Sequence, residues 1–424
     1  MNNDPGHARR AALSAFVGTS LEFYDYYVYA LASALVLGHV FFPGEKTTVS
    51  DIASFGTLAA GFVARPLAGT IFGILGDHWG RKRILTLTVA AMGMATMGVG
   101  LLPGYASIGI WAPVLLVALR IVQGISVGGE WGGAVLMASE HAAAGSKTFA
   151  ASFAQLGSPA GMLLALLTFR MANAFGLETF LAWTWRIPFL LGGGIALGCY
   201  MLRRQLQETP EFLAQAANVE APPPSSLRNL SGEWMKIVYA GAAAVIGTAG
   251  FFFMNTFLLS YATRYEHIDR ETILNALFIA TFLQLVSQPL AAWTGERVGE
   301  TRFLLAMATA CVFLPYPMFL LLRTHDIWLI SLGISVTILA LSAFYAVVAG
   351  YMAAAFRPAI RYTAISIAYQ TSSSLISGFT PLIGTLIAAH YAGQWLPLAV
   401  FFSLLAVISI VGVIGLARTK TAGH

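Results

Sequence analysis

Residues 65–83 read RPLAGTIFGILGDHWGRKR, a run that changes from apolar to strongly basic. Its first part places Gly69 and Gly73 four residues apart, which leaves one face of an apolar helix without side chains and allows close helix packing. Its second part, residues 76–83, holds one carboxylate and three strong cations between two long apolar runs. We interpret this second part as a cytoplasmic loop of a membrane protein.

Residues 295–302 read GERVGETR and repeat the pattern of that loop. Both copies have two glycines, an acidic residue after the first glycine, and an arginine at the end. A second copy in a corresponding loop is typical of transporters with duplicated halves. We therefore expect an N-terminal six-helix half over residues 1–202, a central cytoplasmic loop over 203–235, and a C-terminal six-helix half over 236–424.

The composition is that of a protein that lies mostly in lipid. Hydrophobic residues make up 57% of the chain, charged residues only 10%, and the mean hydropathy is +0.73. Since a span needs about 20 apolar residues, the sequence predicts an all-α membrane protein with roughly twelve transmembrane helices. The predicted spans are residues 11–38, 51–75, 84–102, 111–139, 148–172, 187–202, 236–262, 272–293, 303–322, 327–353, 363–390 and 396–416.

The positive charge of the chain follows a membrane topology. The formal charge is +5 and the isoelectric point about 9.2, and the lysines and arginines gather in alternate loops. Cytoplasmic loops carry such an excess, so we expect both termini in the cytoplasm of a multi-pass inner-membrane protein, with the lipid bilayer as a partner. The basic charge thus reflects topology and does not indicate nucleic-acid binding.

Several charged side chains fall well inside predicted spans, away from the span ends: Glu22, Asp25, Arg65, Arg120 and Glu130. A bare carboxylate there is costly and needs a partner or water, so pairing within the bundle is one interpretation and ion coupling or substrate contact the other. At about 1.5 Å per residue, an upper pair of Asp25 with Arg120 and a lower group of Arg65 with Glu130 and Glu22 are predicted. We expect Asp25, Glu22, Arg120 and Glu130 to serve proton coupling, with Asp25 as the proton carrier and Glu22 as second choice.

Apart from Lys236 at the first position of a span, the predicted spans of the second half contain no acidic or basic side chain, so we expect that half to supply neutral substrate contacts. Gln155 in the first half either bridges helices or touches the substrate. The candidate substrate-binding residues are Tyr26, Tyr29, Arg65, Gln123, Gln155, Asn255, Gln284, Gln288, Tyr369 and Gln370.

The chain resembles the major facilitator superfamily, and more closely its metabolite:proton symporter branch, which includes transporters of shikimate, α-ketoglutarate, citrate and proline or betaine. The resemblance lies in residues 65–83, 120–130, 185–189, 208–212 and 361–363, and the first half is most similar to shikimate-type members. It implies a monomeric transporter of a bacterial inner membrane. Such a protein would import a small organic acid or polar metabolite, shikimate-like or dicarboxylate, with a proton by alternating access.

The resemblance also supports a cytoplasmic gate built where acidic and basic residues end several segments. Its expected residues are Gly73, Gly76, Asp77, Gly80, Arg81, Arg83, Glu140 and Glu208. The chain departs from the family pattern at His78, where arginine is usual, and at Glu296, Glu300 and Thr301 of the second loop copy. The usual acidic residue before Arg361 is missing, with Ala354 near its place.

Two other functions compete with a proton-coupled symporter. A uniporter or an osmolyte carrier for proline or betaine has the same fold, but has less reason to keep costly charges in its spans. An integral-membrane enzyme is disfavoured because the sequence has no His/Cys metal cluster. The sequence also lacks a phosphate-binding loop, so we expect that ATP hydrolysis does not drive transport. We likewise expect no cofactor and no metal.

Overall fold

The computed structural model describes residues 5–42, 47–217 and 230–421, and these residues form long helices without a β-strand. Ten of the helices are long and apolar enough to cross a membrane. Two more, α1 (Pro5–Ala32) and α2 (Thr47–Trp79), have 28 and 33 residues. At about 1.5 Å per residue, each exceeds a hydrocarbon core of about 30 Å.

A short helix, Pro210–Ala217, divides the long helices into six before it and six after it within the described part of the chain. The predicted all-α membrane fold is therefore confirmed. Residues 218–229 of the predicted central loop lie outside the described residues, and the domain limits stay a prediction. The ten helices are α3 (Arg81–Leu101), α4 (Trp111–His141), α5 (Lys147–Asn173), α6 (Thr184–Arg204), α7 (Trp234–Arg264), α8 (Arg270–Val298), α9 (Glu300–Leu322), α10 (Ile327–Ala353), α11 (Arg361–His390) and α12 (Trp395–Thr419).

Most of the helices are longer than the predicted spans, because hydropathy marks only the apolar part of a helix. α8 was predicted over 272–293 and continues to Val298, so it includes Glu296. α11 was predicted from residue 363 and begins at Arg361. The expectation that the second-half spans carry no charged side chain is therefore wrong at these helix ends.

The two loop copies share a backbone conformation as well as a sequence pattern. Gly80 separates α2 from α3 with a φ of +100°, and Gly299 separates α8 from α9 with a φ of +101°. Side chains with a Cβ rarely adopt such angles, so both turns require glycine. The second glycine of each copy thus makes a sharp turn between two long helices.

The glycine strip of α2 allows the predicted close packing. A Cβ on Gly73 would lie 2.6 Å from the Cα of Thr363, so only glycine lets α2 approach the start of α11 this closely. On the other side of the bundle, α5 packs against α8 and α10. The starts of α5 and α11 lie at the same end of the bundle as the start of α1. We call this end the N-terminal face.

Candidate functional site

A small cavity lies between helices of the first six and helices of the second six. Glu22, Tyr26 and Arg65 line it from α1 and α2, while Tyr345 and Tyr369 line it from α10 and α11. Its volume is about 20 Å³, which is space for about one water molecule. We call it the central cavity. A metabolite can bind there only after the surrounding helices move apart.

Asp25 and Arg120 form the predicted upper pair, with Asp25 Oδ2 3.1 Å from a guanidinium nitrogen of Arg120. The other carboxylate oxygen, Oδ1, accepts hydrogen bonds from the Thr96 hydroxyl at 2.6 Å and from the Gln123 amide at 2.5 Å. The Arg120 guanidinium also lies 3.9 Å from the centre of the Tyr29 ring. This buried pair is therefore held by polar partners from three helices.

Glu22 and Arg65 face the central cavity, and Arg65 is only 8% exposed. Within the described part of the chain, Glu22 Oε2 and Arg65 Nε have no hydrogen-bond partner. Arg65 lies over the Phe62 ring, 4.1 Å from its centre. Each of these two charged side chains therefore has an atom that can form a hydrogen bond with a ligand in the central cavity.

The predicted contact between Arg65 and Glu130 is wrong. Glu130 instead forms an ion pair with both terminal nitrogens of Arg203 at the end of α6, and it accepts a hydrogen bond from Thr88 at 3.0 Å. Height along a helix orders charges by depth but does not say which way each side chain points. For that reason the height argument could not tell Arg65 from Arg203.

Arg203 was assigned to a cytoplasmic loop, whereas the structure buries it completely. It also donates a hydrogen bond to the Leu85 carbonyl oxygen. The sequence held one signal for this position, because Ala196, Cys199 and Arg203 follow the i, i+3, i+7 spacing of a single helix face. All three are buried, so α6 packs with that face inward.

Replacing Arg203 by Met is expected to lower the free energy of unfolding by about 3–5 kcal/mol, because Glu130 would be left as an unpaired buried carboxylate. Removing both charges, in Arg203→Met/Glu130→Gln, should recover most of the loss. Denaturation of the purified protein in detergent measures both effects. Arg204→Met is the matched control, since Arg204 is exposed and its loss should change stability by less than about 0.5 kcal/mol. Equal losses for Arg203→Met and Arg204→Met would contradict the prediction.

A second polar cavity adjoins the central one. It lies between α5, α7, α8 and α10, and it is lined by the predicted substrate residues Asn255, Gln284 and Gln288. Gly247, Phe251 and Tyr345 line both cavities. We call it the amide cavity. Six of the ten candidate substrate residues therefore line one of the two cavities: Tyr26, Arg65, Tyr369, Asn255, Gln284 and Gln288.

The other four candidates do not line either cavity. Tyr29 and Gln123 belong to the Asp25 cluster. Gln155 accepts a hydrogen bond from the Trp131 indole at 3.0 Å and donates to the Tyr345 carbonyl oxygen at 3.1 Å, so it bridges α4 and α10. Gln370 donates to the Val127 and Gly128 carbonyl oxygens and ties α11 to α4. The sequence shows a glutamine or asparagine inside an apolar run in both cases. It does not show whether that amide hydrogen-bonds to a ligand or to a neighbouring helix.

At the N-terminal face, Asp77 caps the start of α11. Its carboxylate accepts hydrogen bonds from the backbone N–H groups of Tyr362 and Thr363 at 3.2 and 3.1 Å, and from the Thr363 hydroxyl at 2.7 Å. A carboxylate is favoured at a helix N-terminus by the helix dipole and by the free N–H groups. Asp77 therefore fastens the end of α2 to α11.

Most of the other predicted gate residues surround this contact. Arg81 lies 3.6 Å from both Asp77 and Glu140, and it donates to the Pro358 carbonyl oxygen at 2.9 Å. Glu208 accepts hydrogen bonds from the backbone N–H groups of Arg81 and Lys82 and so caps α3. Gly73, Gly76 and Gly80 contact Thr363, Tyr362 and Glu208 respectively.

Arg83 does not join this cluster, contrary to the prediction. Its side chain is exposed, and its guanidinium lies 5.7 Å from the centre of the Trp79 ring. Two residues along a helix correspond to about 200° of rotation, so Arg83 points away from the face that carries Arg81. The basic run of the loop therefore contributes one buried arginine to the cluster.

The second loop copy makes the corresponding contact. Glu296 at the end of α8 accepts a hydrogen bond from the Phe149 N–H at the start of α5, at 2.9 Å, and Glu300 accepts one from the Thr148 hydroxyl. Asp77 and Glu296 thus cap α11 and α5 in the same manner. The longer glutamate side chain of the second copy thus makes the contact that Asp77 makes in the first.

An ion-pair latch, which the sequence interpretation did not include, closes the same face. Glu211 pairs with Lys147 at 2.5 Å and with Arg361, and Arg361 also lies 3.1 Å from Glu140. Burial opposes the charge of Glu211, but the neighbouring Arg361 and Lys147 hold the pKa of this carboxyl below its usual value. Glu211 therefore remains ionised at neutral pH, and the latch joins the starts of α5 and α11.

The site holds charges, aromatic rings and amides around two small cavities. Among the described residues, no group of three or more His, Cys, Asp or Glu side chains could hold a metal ion. Such an arrangement offers hydrogen-bonding and charged groups to a polar solute, and one face of the bundle is closed by contacts between the two sets of six helices.

The fold occurs in solved structures of transporters. The MFS (major facilitator superfamily) proton:xylose symporter XylE bound to 6-bromo-6-deoxy-D-glucose matches 96% of this chain and 94% of that structure, with a TM-score of 0.79 and 16% identity. An identity this low establishes the fold alone. The chain is thus a multi-pass membrane protein with the major facilitator fold.

Sequence relatives narrow the class. The family model described as "Sugar (and other) transporter" matches residues 11–233. The "Shikimate transporter" of Escherichia coli (strain K12) is 35% identical over 93% of this chain and 91% of the relative. The "Glycine betaine/proline/ectoine/pipecolic acid transporter OusA" of Dickeya dadantii (strain 3937) is 34% identical over 99% of this chain and 85% of the relative. The chain therefore belongs to the sugar and other transporter family of the major facilitator superfamily, as a secondary transporter of metabolites and not an enzyme.

Proposed function

We propose that this protein imports a small organic acid together with a proton, by alternating access between two six-helix halves. The observation that carries the proposal is the presence of buried acidic and basic side chains at the central cavity and elsewhere in the same bundle. Glu22 and Arg65 line the cavity, and each has an atom without a hydrogen-bond partner among the described residues. Asp25 and Arg120 form an ion pair in the same helix bundle. Charges inside a membrane are costly and are kept for ion or substrate pathways.

In this proposal, Arg65 binds the carboxylate of the substrate. A guanidinium presents a planar set of donors that matches a carboxylate, and Arg65 Nε is buried without a protein partner among the described residues. Glu22 faces the same cavity, so its protonation would lower the repulsion that an incoming anion meets. Proton and anion binding would thereby favour each other.

We further propose that the N-terminal face is cytoplasmic and that both termini lie on that side. The basic residues of the loop at 81–83 and the end of α6 at 203–204 fall on this face, as the positive-inside rule requires. The Asp77 and Glu296 contacts would then form the cytoplasmic gate, closed in this conformation. We propose that the transporter acts as a monomer, since each chain has its own cavity between its halves.

Uptake by proteoliposomes tests this function directly. Purified protein is reconstituted, and labelled shikimate, α-ketoglutarate, proline and glycine betaine are offered with an acid exterior. An imposed gradient of one pH unit should accumulate an organic acid about tenfold when one proton accompanies it, because 1.4 kcal/mol corresponds to a factor of ten. The same gradient collapsed by a protonophore is the control. Uptake that reaches only equal concentrations on both sides would contradict proton coupling.

An osmolyte carrier is the second candidate, because the aromatic rings around Glu22 suit a cationic ammonium group. Phe23, Tyr26, Phe251 and Phe252 line the central cavity with Glu22, and aromatic faces attract cations. A zwitterion such as betaine could place its ammonium there and its carboxylate at Arg65. Preferential uptake of proline or betaine in the same assay would favour this function, and preferential uptake of shikimate or α-ketoglutarate would exclude it.

A further inference from the structure

The amide cavity contains buried oxygen atoms that have no protein partner. Gln288 Oε1, Ser158 Oγ, Ser342 Oγ and Asn255 Oδ1 make no hydrogen bond to any described residue. The side chains of Gln288, Ser158 and Ser342 are 1%, 2% and 4% exposed. Native proteins satisfy most buried polar atoms, so four such oxygens around one cavity need a physical reason.

Water inside this cavity cannot hydrogen-bond to all four of the unpartnered oxygens. Its volume is about 10 Å³, which is room for no more than about one molecule. The remaining lining includes Ile338 and Leu341, which offer no hydrogen-bond donor. The unpartnered oxygens are therefore costly in the conformation seen here. Such a cost is typical of sites that are completed by a ligand.

We infer that the amide cavity is the subsite that binds hydroxyl groups of the substrate. This inference rests on the proposed function. Amide oxygens accept hydrogen bonds, and hydroxyl groups donate them. The amide cavity adjoins the central cavity, because Gly247, Phe251 and Tyr345 line both. One small molecule can therefore place its carboxylate at Arg65 and its hydroxyl groups at Gln288 and Asn255.

The substrate class that fits both cavities is a hydroxylated organic acid. A betaine has no hydrogen-bond donor, so it would leave the oxygens of the amide cavity unsatisfied. An unsubstituted dicarboxylate, when ionised, has no hydrogen-bond donor either, so it would leave the amide oxygens of Gln288 and Asn255 unsatisfied. A hydroxyl group both donates and accepts, which matches amides and serines together.

Matched pairs of acids test the inference. Shikimate and cyclohex-1-ene-1-carboxylate share a ring and a carboxylate and differ by three hydroxyl groups, and malate differs from succinate by one. We expect the hydroxylated member of at least one pair to bind the purified protein tenfold or more tightly in calorimetric titration, because a site built to bond a hydroxyl rejects the analogue that lacks it. Gln288→Met, which keeps the length of the side chain, should bring that ratio close to one by weakening the hydroxylated acid.

Two further variants separate recognition from general damage. Thr337→Val removes a hydroxyl from α10 that already bonds the Gly333 carbonyl oxygen, so the affinity ratio should stay unchanged. Ser342→Ala removes an unpartnered hydroxyl on the same helix and should lower the ratio at least threefold. The melting temperature of ligand-free Gln288→Met should equal or exceed that of the wild type, since the lost oxygen has no protein partner.

The possible results distinguish this inference from the proposed function. Equal affinities within both pairs, or a ratio that survives Gln288→Met, would overturn the hydroxyl subsite. If the acids without hydroxyls were then accumulated by a pH gradient, the proposed function would still stand. If neither member of either pair bound, the inference and the organic-acid proposal would both fail.

Discussion

Replacing Asp25 by Asn is expected to abolish accumulation driven by a pH gradient. Three donors, from Arg120, Thr96 and Gln123, surround the Asp25 carboxylate in this conformation. In the proposed cycle, the contact with Arg120 loosens when the bundle reopens, and the carboxylate then exchanges its arginine partner for a proton. Asparagine keeps the shape but cannot titrate, so this cycle stops.

Proteoliposomes with an acid exterior of one pH unit measure the effect. The wild type should reach about tenfold accumulation for one proton per substrate, whereas Asp25→Asn should reach a ratio of about one. A membrane potential would contribute about 2.3 kcal/mol per 100 mV for each charge moved, so it is held at zero. Exchange of labelled for unlabelled substrate at equal concentrations needs no net proton movement. It should survive in the variant and shows that the protein is folded.

Glu22→Gln is the matched comparison for this prediction. Glu22 lines the central cavity and has an unpartnered carboxylate oxygen, whereas Glu130 forms an ion pair with Arg203. If Asp25→Asn still accumulated substrate tenfold and Glu22→Gln did not, the proton would bind to Glu22. The structure therefore leaves Glu22 as the principal competitor and makes Glu130 a poor one.

Asp77→Asn is expected to open the N-terminal face. The carboxylate receives three hydrogen bonds at the start of α11, and hydrogen bonds to charged groups are worth about 1.5–3 kcal/mol each. Asparagine retains one acceptor oxygen and removes the charge that faces Arg81. A net loss of about 3 kcal/mol would shift the equilibrium between closed and open forms by more than a hundredfold.

Labelling of a buried cysteine reports this opening. Ser366 lies beneath the gate, 1% exposed and against Gly132, so Ser366→Cys places a thiol there. Cys199 and Cys311 are buried and are replaced by Ala to leave a single reactive site. In this background, Asp77→Asn should raise the labelling rate of Cys at 366 at least tenfold and reduce transport, while thermal stability changes little.

Glu208→Gln is the matched control for the gate. Glu208 also caps a helix, but its hydrogen bonds go to α3, next to its own segment, and do not join α2 to α11. Its loss should leave the labelling rate within about twofold of the parent, because the contact between the two sets of helices remains. Glu296→Gln, which weakens the cap on α5, should raise labelling as Asp77→Asn does. An unchanged rate in Asp77→Asn would show that this contact does not hold the face closed.

Several features could be read from sequence because local chemistry dictates them. Apolar runs of span length predicted the helices, and the repeated loop pattern predicted the two helix connections that contain Gly80 and Gly299. Depth along a helix also indicated the pair of Asp25 and Arg120, which the structure contains. In each case one helix or one turn contains the whole signal.

The partners of the remaining polar residues were decided by the tertiary structure alone. Glu130 pairs with Arg203 and not Arg65, and Gln155 and Gln370 bridge helices while Gln288 faces a cavity. In each case the possible partners are residues of the same chemical type at similar depths in the bundle. They differ only in how each helix is rotated about its axis and in which neighbour it meets, and both follow from packing summed over the whole bundle. The sequence by itself therefore determined a membrane helix bundle with buried charges, and the packing determined which of them face the cavities.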